Sequence, residues 1–430
     1  MKSRYKPIIL SACLITIILK TSYSQTGTGF NTNPVTLSVY LSGVTKGNLG
    51  YIASQFNVSI AEADLKASEI FPDPEISISY SNNEDKKLMM GQSVESGLSY
   101  SVNLGNKRKA GIELSKSQFY ISKLILVAYF QNLRADAALS YFASLRLYKI
   151  YQLRLDIYRQ MSQLALADSI RLEAGEATSI DALQSSLEAR SQQTEVYQSY
   201  ADMQNSFLDL MRLQGKRISD TLDFPVDSFP EGHADFNLNE LIENAVAHRS
   251  DLQVALKNTE ISGKQLNLLK ANRAFEFNIE TGYSYNSIVK NEIAPAPAFN
   301  GFSAGIVFPL KFSSINRGAL EAAELAVRQG QVDYNDVKLQ IITEICQAYN
   351  NFIAQVRKVE HYNLGLVDDA GKILRGRIYS YQQGESGLIE VINAQRKYIE
   401  LQLNHVEALF DYTASLIELE RSASIWDITP

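Results

Sequence analysis

The chain has 430 residues, 45% of them hydrophobic, a formal charge of −6, and 41 Lys and Arg residues that are dispersed rather than gathered in a stripe. That balance argues against nucleic acid as a partner, and no internal stretch approaches the ~20 apolar residues of a membrane-spanning helix. The ten prolines stand at 7, 34, 72, 74, 225, 230, 295, 297, 309 and 430, so 75–224 and 310–429 contain none. Proline costs about 3 kcal/mol inside a helix, and proline-free runs of that length permit very long helices.

Lys2, Arg4 and Lys6 precede an apolar run from Pro7 to Leu19, and the small residues Ser22 and Ser24 stand ahead of Gln25. This reads as a secretory signal, residues 1–24, removed after Ser24. Leu10-Ser11-Ala12-Cys13 also matches a lipobox, but Cys13 lies in the middle of the apolar run rather than at its end. Without Cys13 the exported chain keeps one cysteine, Cys346, expected at a buried helix position, and no intramolecular disulfide can form. Export without disulfides or a spanning helix points to the periplasm, the outside, or a β-barrel in an outer membrane.

Two segments of period two come next. Ile76, Ile78 and Tyr80 interleave with serines, and Leu98, Tyr100, Val102 and Leu104 with Ser99, Ser101 and Asn103. From about Lys107 to Ser169 the period becomes helical, on the order of 95 Å at 1.5 Å per residue. Leu139, Phe142, Leu147, Ile150, Leu153, Ile157, Met161 and Leu164 mark one stripe, and Tyr141, Leu145, Tyr148, Leu155 and Tyr158 a neighbouring one. A helix apolar on two adjacent stripes packs on both sides, as a stave of a helical barrel does. Gly175 then marks a helical turn, and 215–247, with Pro225, Pro230 and Gly232, reads as a linker beside the middle of the helical part. Alternation returns at Phe275, Phe277, Ile279, Thr281 and Tyr283, and at Phe302, Ala304, Ile306, Phe308 and Leu310. A second turn falls at Gly384, and Ile392, Ile399, Leu403, Val406 and Phe410 keep near-heptad spacing.

The order of elements therefore occurs twice. Gly175–Leu183 (GEATSIDAL) matches Gly384–Ile392 (GESGLIEVI) at a spacing of 209 residues, with Asp181 and Glu390 at equivalent places. The expected organisation is a first repeat over 25–214, the linker 215–247, a second repeat over 248–424 and a tail, 425–430. Apolar residues alternating with Ser and Asn suit strands with lipid on one side and a wet lumen on the other, although half-buried strands of a soluble sheet alternate in the same way. Each strand has roughly the 9–11 residues of a tilted membrane strand, with aromatic residues near the ends. Four strands are too few to close a barrel, and open edges in lipid leave backbone groups unsatisfied, so such a subunit must oligomerise.

Tyr381-Gln-Gln-Gly384-Glu-Ser-Gly-Leu-Ile-Glu390-Val-Ile-Asn393-Ala394, its counterpart Gly175–Leu183, and Arg249-Ser-Asp-Leu252 together resemble the TolC-like outer-membrane efflux family, over about Leu49 to Ser424. The resemblance implies a mainly α fold with a transmembrane β-barrel portion: a homotrimer whose subunits each give four strands to one 12-stranded barrel and four long helices to a periplasmic tunnel. It implies a place in the cell outer membrane, in contact with its lipid, and partnership with a periplasmic adaptor and an inner-membrane pump of the RND type. The stretch Phe308-Pro-Leu-Lys-Phe-Ser-Ser-Ile-Asn-Arg317-Gly318 is similar to the cation-efflux branch. Carried over residue by residue, the family pattern puts Glu390 and Asn393 at the tunnel aperture, one turn apart and facing the lumen, with the second ring neutral. It puts Asp181 and Tyr381 in a network closing the tip, and Ser386 where relatives carry a basic residue, so a thinner network is expected. Gly175 and Gly384 are the hairpin turns.

No cofactor is implied. His233, His248, His361 and His405 lack metal-ligand spacing, although His361 and His405 are nearly equidistant from Gly384. Met89-Met90 reads as a hydrophobic loop tip. Without a phosphate loop, nucleophile elbow or HExxH motif, an enzyme is not expected. The expected function is a passive outlet of a tripartite efflux pump for heavy-metal cations or drugs. An outlet for type I protein secretion and a periplasmic coiled-coil structural protein are the alternatives.

Overall fold

The computed structural model describes residues 31–85, 89–217, 221–230, 235–274, 276–309 and 317–426. The expected signal segment with Cys13, Phe275, Leu310 and most of the 308–318 stretch, part of the linker including Gly232 and His233, and 427–430 lie outside them.

The elements run β1 (Asn31–Val35), α1 (Leu37–Gly47), α2 (Leu49–Ser68), β2 (Glu75–Asn82), β3 (Gln92–Asn103), α3 (Lys107–Glu173), α4 (Ser179–Leu213) and β4 (Thr221–Pro225). The second half runs α5 (Leu238–His248), α6 (Ser250–Ala271), β5 (Glu276–Asn286), β6 (Phe299–Val307), α7 (Arg317–His361), α8 (Val367–Gln382) and α9 (Leu388–Ala423). The repeated order of elements is thus present, with one correction. Residues 215–247 are not linker throughout, because α5 occupies their end and is the counterpart of α1. Asn237 caps it by accepting from the Asn239 N–H, and Leu241 and Ala245 are buried. The second set of elements therefore opens at Leu238 rather than at 248.

Helix α3 has 67 residues, about 100 Å at 1.5 Å per residue. Its counterpart α7 is interrupted at Tyr362–Leu366 by a π-helical turn, where Gly365 has φ +98°. The main apolar core lies at the middle of α3 and the C-terminal ends of α4 and α9, where Tyr141, Phe142, Leu145, Leu210 and Ile417 meet Leu37, Tyr40 and Val44 of α1. Beside it β1 and β4 form a parallel pair absent from the expectation. Asp223 holds this pair by accepting from Asn33 and Gln214, each at 3.0 Å, and from Lys216. Arg249 ties the start of α6 to Glu344 of α7 at 2.6 Å and to the Ser422 carbonyl of α9 at 3.0 Å.

The other four strands make one antiparallel sheet in the order β2-β3-β5-β6. Its register puts Ile76, Leu98 and Thr281 in one row and Ile78, Ser96, Tyr283 and Phe302 in the next. Ile76, Ile78 and Phe302 are 74, 76 and 78% exposed. The opposite face is Ser, Gly and Glu: Ser77, Gly97, Gly282 and Ser303 align, as do Glu75, Ser99, Glu280 and Gly305. The glycines are packed; a Cβ on Gly97 would lie 2.6 Å from Ser77 Oγ, and one on Gly282 2.6 Å from Ser303 Oγ. Four strands leave both edges open.

Just past the end of α4 the chain turns at Gly215, φ +65°, where a Cβ would stand 2.0 Å from the Gly47 carbonyl oxygen of α1. Gly175 at the far end has φ +77° with open space around it. Gly175→Ala should cost only the left-handed strain, about 1–2 kcal/mol. Gly215→Ala adds displacement of α1 from the core and should lower the thermal unfolding midpoint further. Equal shifts for the two variants would contradict this packing.

Candidate functional site: the hairpin tips

The two helical hairpins reverse by the same device. At the first, the Gly175 N–H donates to the Leu172 carbonyl at 3.0 Å and the Glu176 N–H to Arg171 at 2.8 Å. At the second, Gly384 donates to Tyr381 at 3.0 Å and Glu385 to Ser380 at 2.9 Å. Both are the paired bonds of a Schellman cap, and Gly175 and Gly384 take φ of +77° and +76°. Such a cap satisfies the last carbonyls of the helix and turns the chain within a few residues. The helices that follow start differently. Thr178 accepts from the Asp181 N–H at 3.1 Å and its hydroxyl meets the Asp181 carboxylate at 2.7 Å, whereas Gly387 leaves α9 without a side-chain cap.

Tyr381, in the last turn of α8, is buried with Leu388, Val391 and Ile392 of α9. Its hydroxyl donates to Asp168 Oδ1 of α3 at 2.8 Å, which fastens the second hairpin to the first. Asp168 is fully buried, and its Oδ2 has no hydrogen-bond partner. The Arg171 guanidinium stands 4.9 Å from the Tyr381 ring centroid, a cation–π distance. Burial, and then the Asp168 carboxylate beside it, pushes the Tyr381 hydroxyl up to about 12.

One cleft between the tips is lined by Arg171, Thr178, Asp181, Tyr381 and Ser386, together with both turn glycines. The residues expected in a closing network are therefore neighbours within a single subunit. Asp181 there serves its own helix start, and the Ser386 hydroxyl is buried without a partner. Glu390 and Asn393 lie outside the cleft, exposed and one turn apart on α9. Glu390 pairs with Arg377 of α8 at 2.5 Å, so its charge is countered within its own hairpin. Asp168, Arg171 and Arg377 were not expected at the tip. The repeat carries a signal for two of them, since Asp168 and Arg377 are themselves 209 residues apart and opposite in charge. Elsewhere, His405 stacks on Tyr362 at 5.4 Å and not on His361, and no group of His, Cys, Asp and Glu able to hold a metal occurs among the described residues.

A hydroxyl with a raised pKa stabilises the fold fully below the ordinary tyrosine value near 10 and ceases to as pH rises through about 12. The contact between the hairpins should thus be indifferent to pH across the neutral range and loosen only in that alkaline window. Tyr381→Phe leaves the buried Asp168 carboxylate without its donor, a loss on the order of 1–3 kcal/mol. Hydrogen exchange of the amides in 164–178 and 378–392 should rise in the variant at neutral pH. Unchanged protection would show that the bond does not hold the tips together.

Comparison with known proteins agrees with this architecture. The family described as "Outer membrane efflux protein" matches residues 241–423. The outer membrane protein TolC of Vibrio cholerae is 19% identical over 390 residues, which cover 86% of each chain. The CmeC outer membrane channel of Campylobacter jejuni shares the fold at a TM-score of 0.75 and 13% identity, over 90% of this chain and 85% of that one. The open-state MtrE outer membrane channel of Neisseria gonorrhoeae does so at 0.71 and 14%, over 90% and 89%. Two hairpins of long helices and an exposed apolar sheet with open edges are thus a fold shared with outer membrane channels, and over residues 241–423 the chain is similar to the outer membrane efflux proteins, a family of passive channels with a periplasmic tunnel.

Proposed function

We propose that three copies of this chain form the exit duct of a tripartite efflux pump, with an adaptor and an energised inner-membrane pump of the RND type docking at the helical tips. The observation that carries this reading is one continuous path. A sheet that needs other copies to close is followed directly by a helix of 67 residues, and that helix ends in a cleft of charged and hydroxyl groups. Heavy-metal cations or drugs are the cargo class. The likeness of 308–318 to the cation-efflux branch supports the former.

In this reading Glu390 and Asn393 face the lumen and form two successive rings at the aperture. The Arg377 partner of each Glu390 and the neutral second ring give a mild cation preference. Tyr381 holds the closed state through its bond to Asp168, with Asp181 beside it in the same cleft, and Ser386 contributes little because it carries no charge. Substrate passes without chemistry, and opening is an untwisting of the hairpins.

Planar-bilayer recordings test these roles. Arg377→Gln should raise the cation-to-anion permeability ratio, and Glu390→Gln should lower it. Tyr381→Phe combined with Asp181→Ala should raise the open fraction. If the double variant leaves the closed fraction unchanged, the gate lies elsewhere, and if neither single change moves the reversal potential, the aperture is not at Glu390.

A further inference from the structure

Below the apolar face of the sheet the surface changes sign abruptly. The lowest outward-facing row of the central strands pairs Val102 with Phe277. On the order of 10 Å further down, across one turn of chain and the start of a helix, Lys109 of α3 and Lys264 and Lys270 of α6 line a single cleft with Asn106, Asn267 and Glu113. Lys264 is engaged by Glu113 at 3.3 Å. Lys109 and Lys270 are exposed and make no ion pair among the described residues, and Arg273 stands exposed three residues beyond Lys270.

The side of the wall on which this cleft lies follows from Lys107. That residue pairs with Glu276 at 3.6 Å, and Glu276 belongs to the Ser-Gly-Glu face of the sheet, since it is even-numbered on β5 like Glu280 and Gly282. Lys109 is two residues further along α3 and so projects about 200° round the helix axis, to the side of the apolar face. A cation cluster at the foot of a lipid-facing band, on its outer side and one headgroup depth below it, has both requirements of a lipid site. Acyl chains lie on the band and a negative headgroup reaches the lysines. A soluble anion would use only the second.

We propose that the cleft of Lys109, Lys264 and Lys270 binds the phosphodiester headgroup of an anionic phospholipid of the periplasmic leaflet. The bound lipid fixes the height of the barrel in the membrane. The inference rests on the barrel standing in lipid as proposed above.

The test is the thermal midpoint of the detergent-purified full-length oligomer, titrated with short-chain phosphatidylglycerol, phosphatidylcholine or glycerol phosphate. Phosphatidylglycerol should raise the midpoint saturably, and the other two should not at equal concentration. Lys109→Gln and Lys270→Gln should each weaken the apparent affinity about fivefold, while Lys372→Gln at the distant tip leaves it unchanged. An equal response to phosphatidylcholine, a full response to glycerol phosphate, or retained phosphatidylglycerol affinity in the double variant overturns the proposal. The same preparations are inserted in planar bilayers. Wild-type conductance of the double variant keeps the channel reading intact whichever way the lipid result falls.

Discussion

Among the described residues no strand lies beside the outer edges of β2 and β6, and the face between those edges presents Ile76, Ile78, Tyr80, Leu98, Tyr283 and Phe302 to the surroundings. In water such a face aggregates; in lipid it is at home, but there every unpaired N–H and C=O costs several kcal/mol. Closure by further copies of the same sheet removes both costs at once. The inner face is built for that curvature. Its rows are Ser and Gly, and the glycines are already in contact with serine hydroxyls, so the concave side has no bulk to be compressed. The rest of the architecture hangs from these strands, because β3 passes through residues 104–106 directly into α3, the longest helix of the wall.

The helices solve a second problem, that of holding a long thin wall together. A single apolar core cannot serve elements of such length. The chain instead places its largest core near the middle, where α1, α5 and the β1–β4 pair brace the long helices, and small clusters elsewhere. Charged ties reinforce the brace: Arg249 and Arg421 both bind Glu344, each at 2.6 Å. Towards the far end a handful of apolar residues, the Tyr381–Asp168 bond, the Arg171 contact on the Tyr381 ring and the Arg396–Glu188 ion pair join the hairpins. Gly365, with φ +98°, gives the second hairpin a break in its helical ladder.

Much of this was legible in the sequence because it is periodic. Alternation located all four strands of the large sheet, helical stripes located α3, and the two Gly-Glu turns located the hairpins. What stayed hidden is local or long-range. Helix α5 is short, and its 11 residues lie in a segment whose prolines suggest a linker. The β1–β4 pair joins residues about 190 positions apart and follows from no local pattern. The carboxylate that accepts from Tyr381 within the subunit, Asp168, sits in the middle of a helical run where an acidic residue ordinarily faces water. Arg377, likewise, looks like one more solvated charge until α9 is folded back against α8. Partner choice between side chains is decided by packing, and the sequence shows the residues without the pairing.

A sheet completed by other copies of the chain within a membrane makes the protein an oligomer when it leaves that membrane. The native mass of the protein extracted from the outer membrane in mild detergent tests it most directly. A particle of three chains is expected, recovered from the membrane fraction and separating to single chains only on heating. A soluble, elongated single chain in the periplasmic fraction would contradict it.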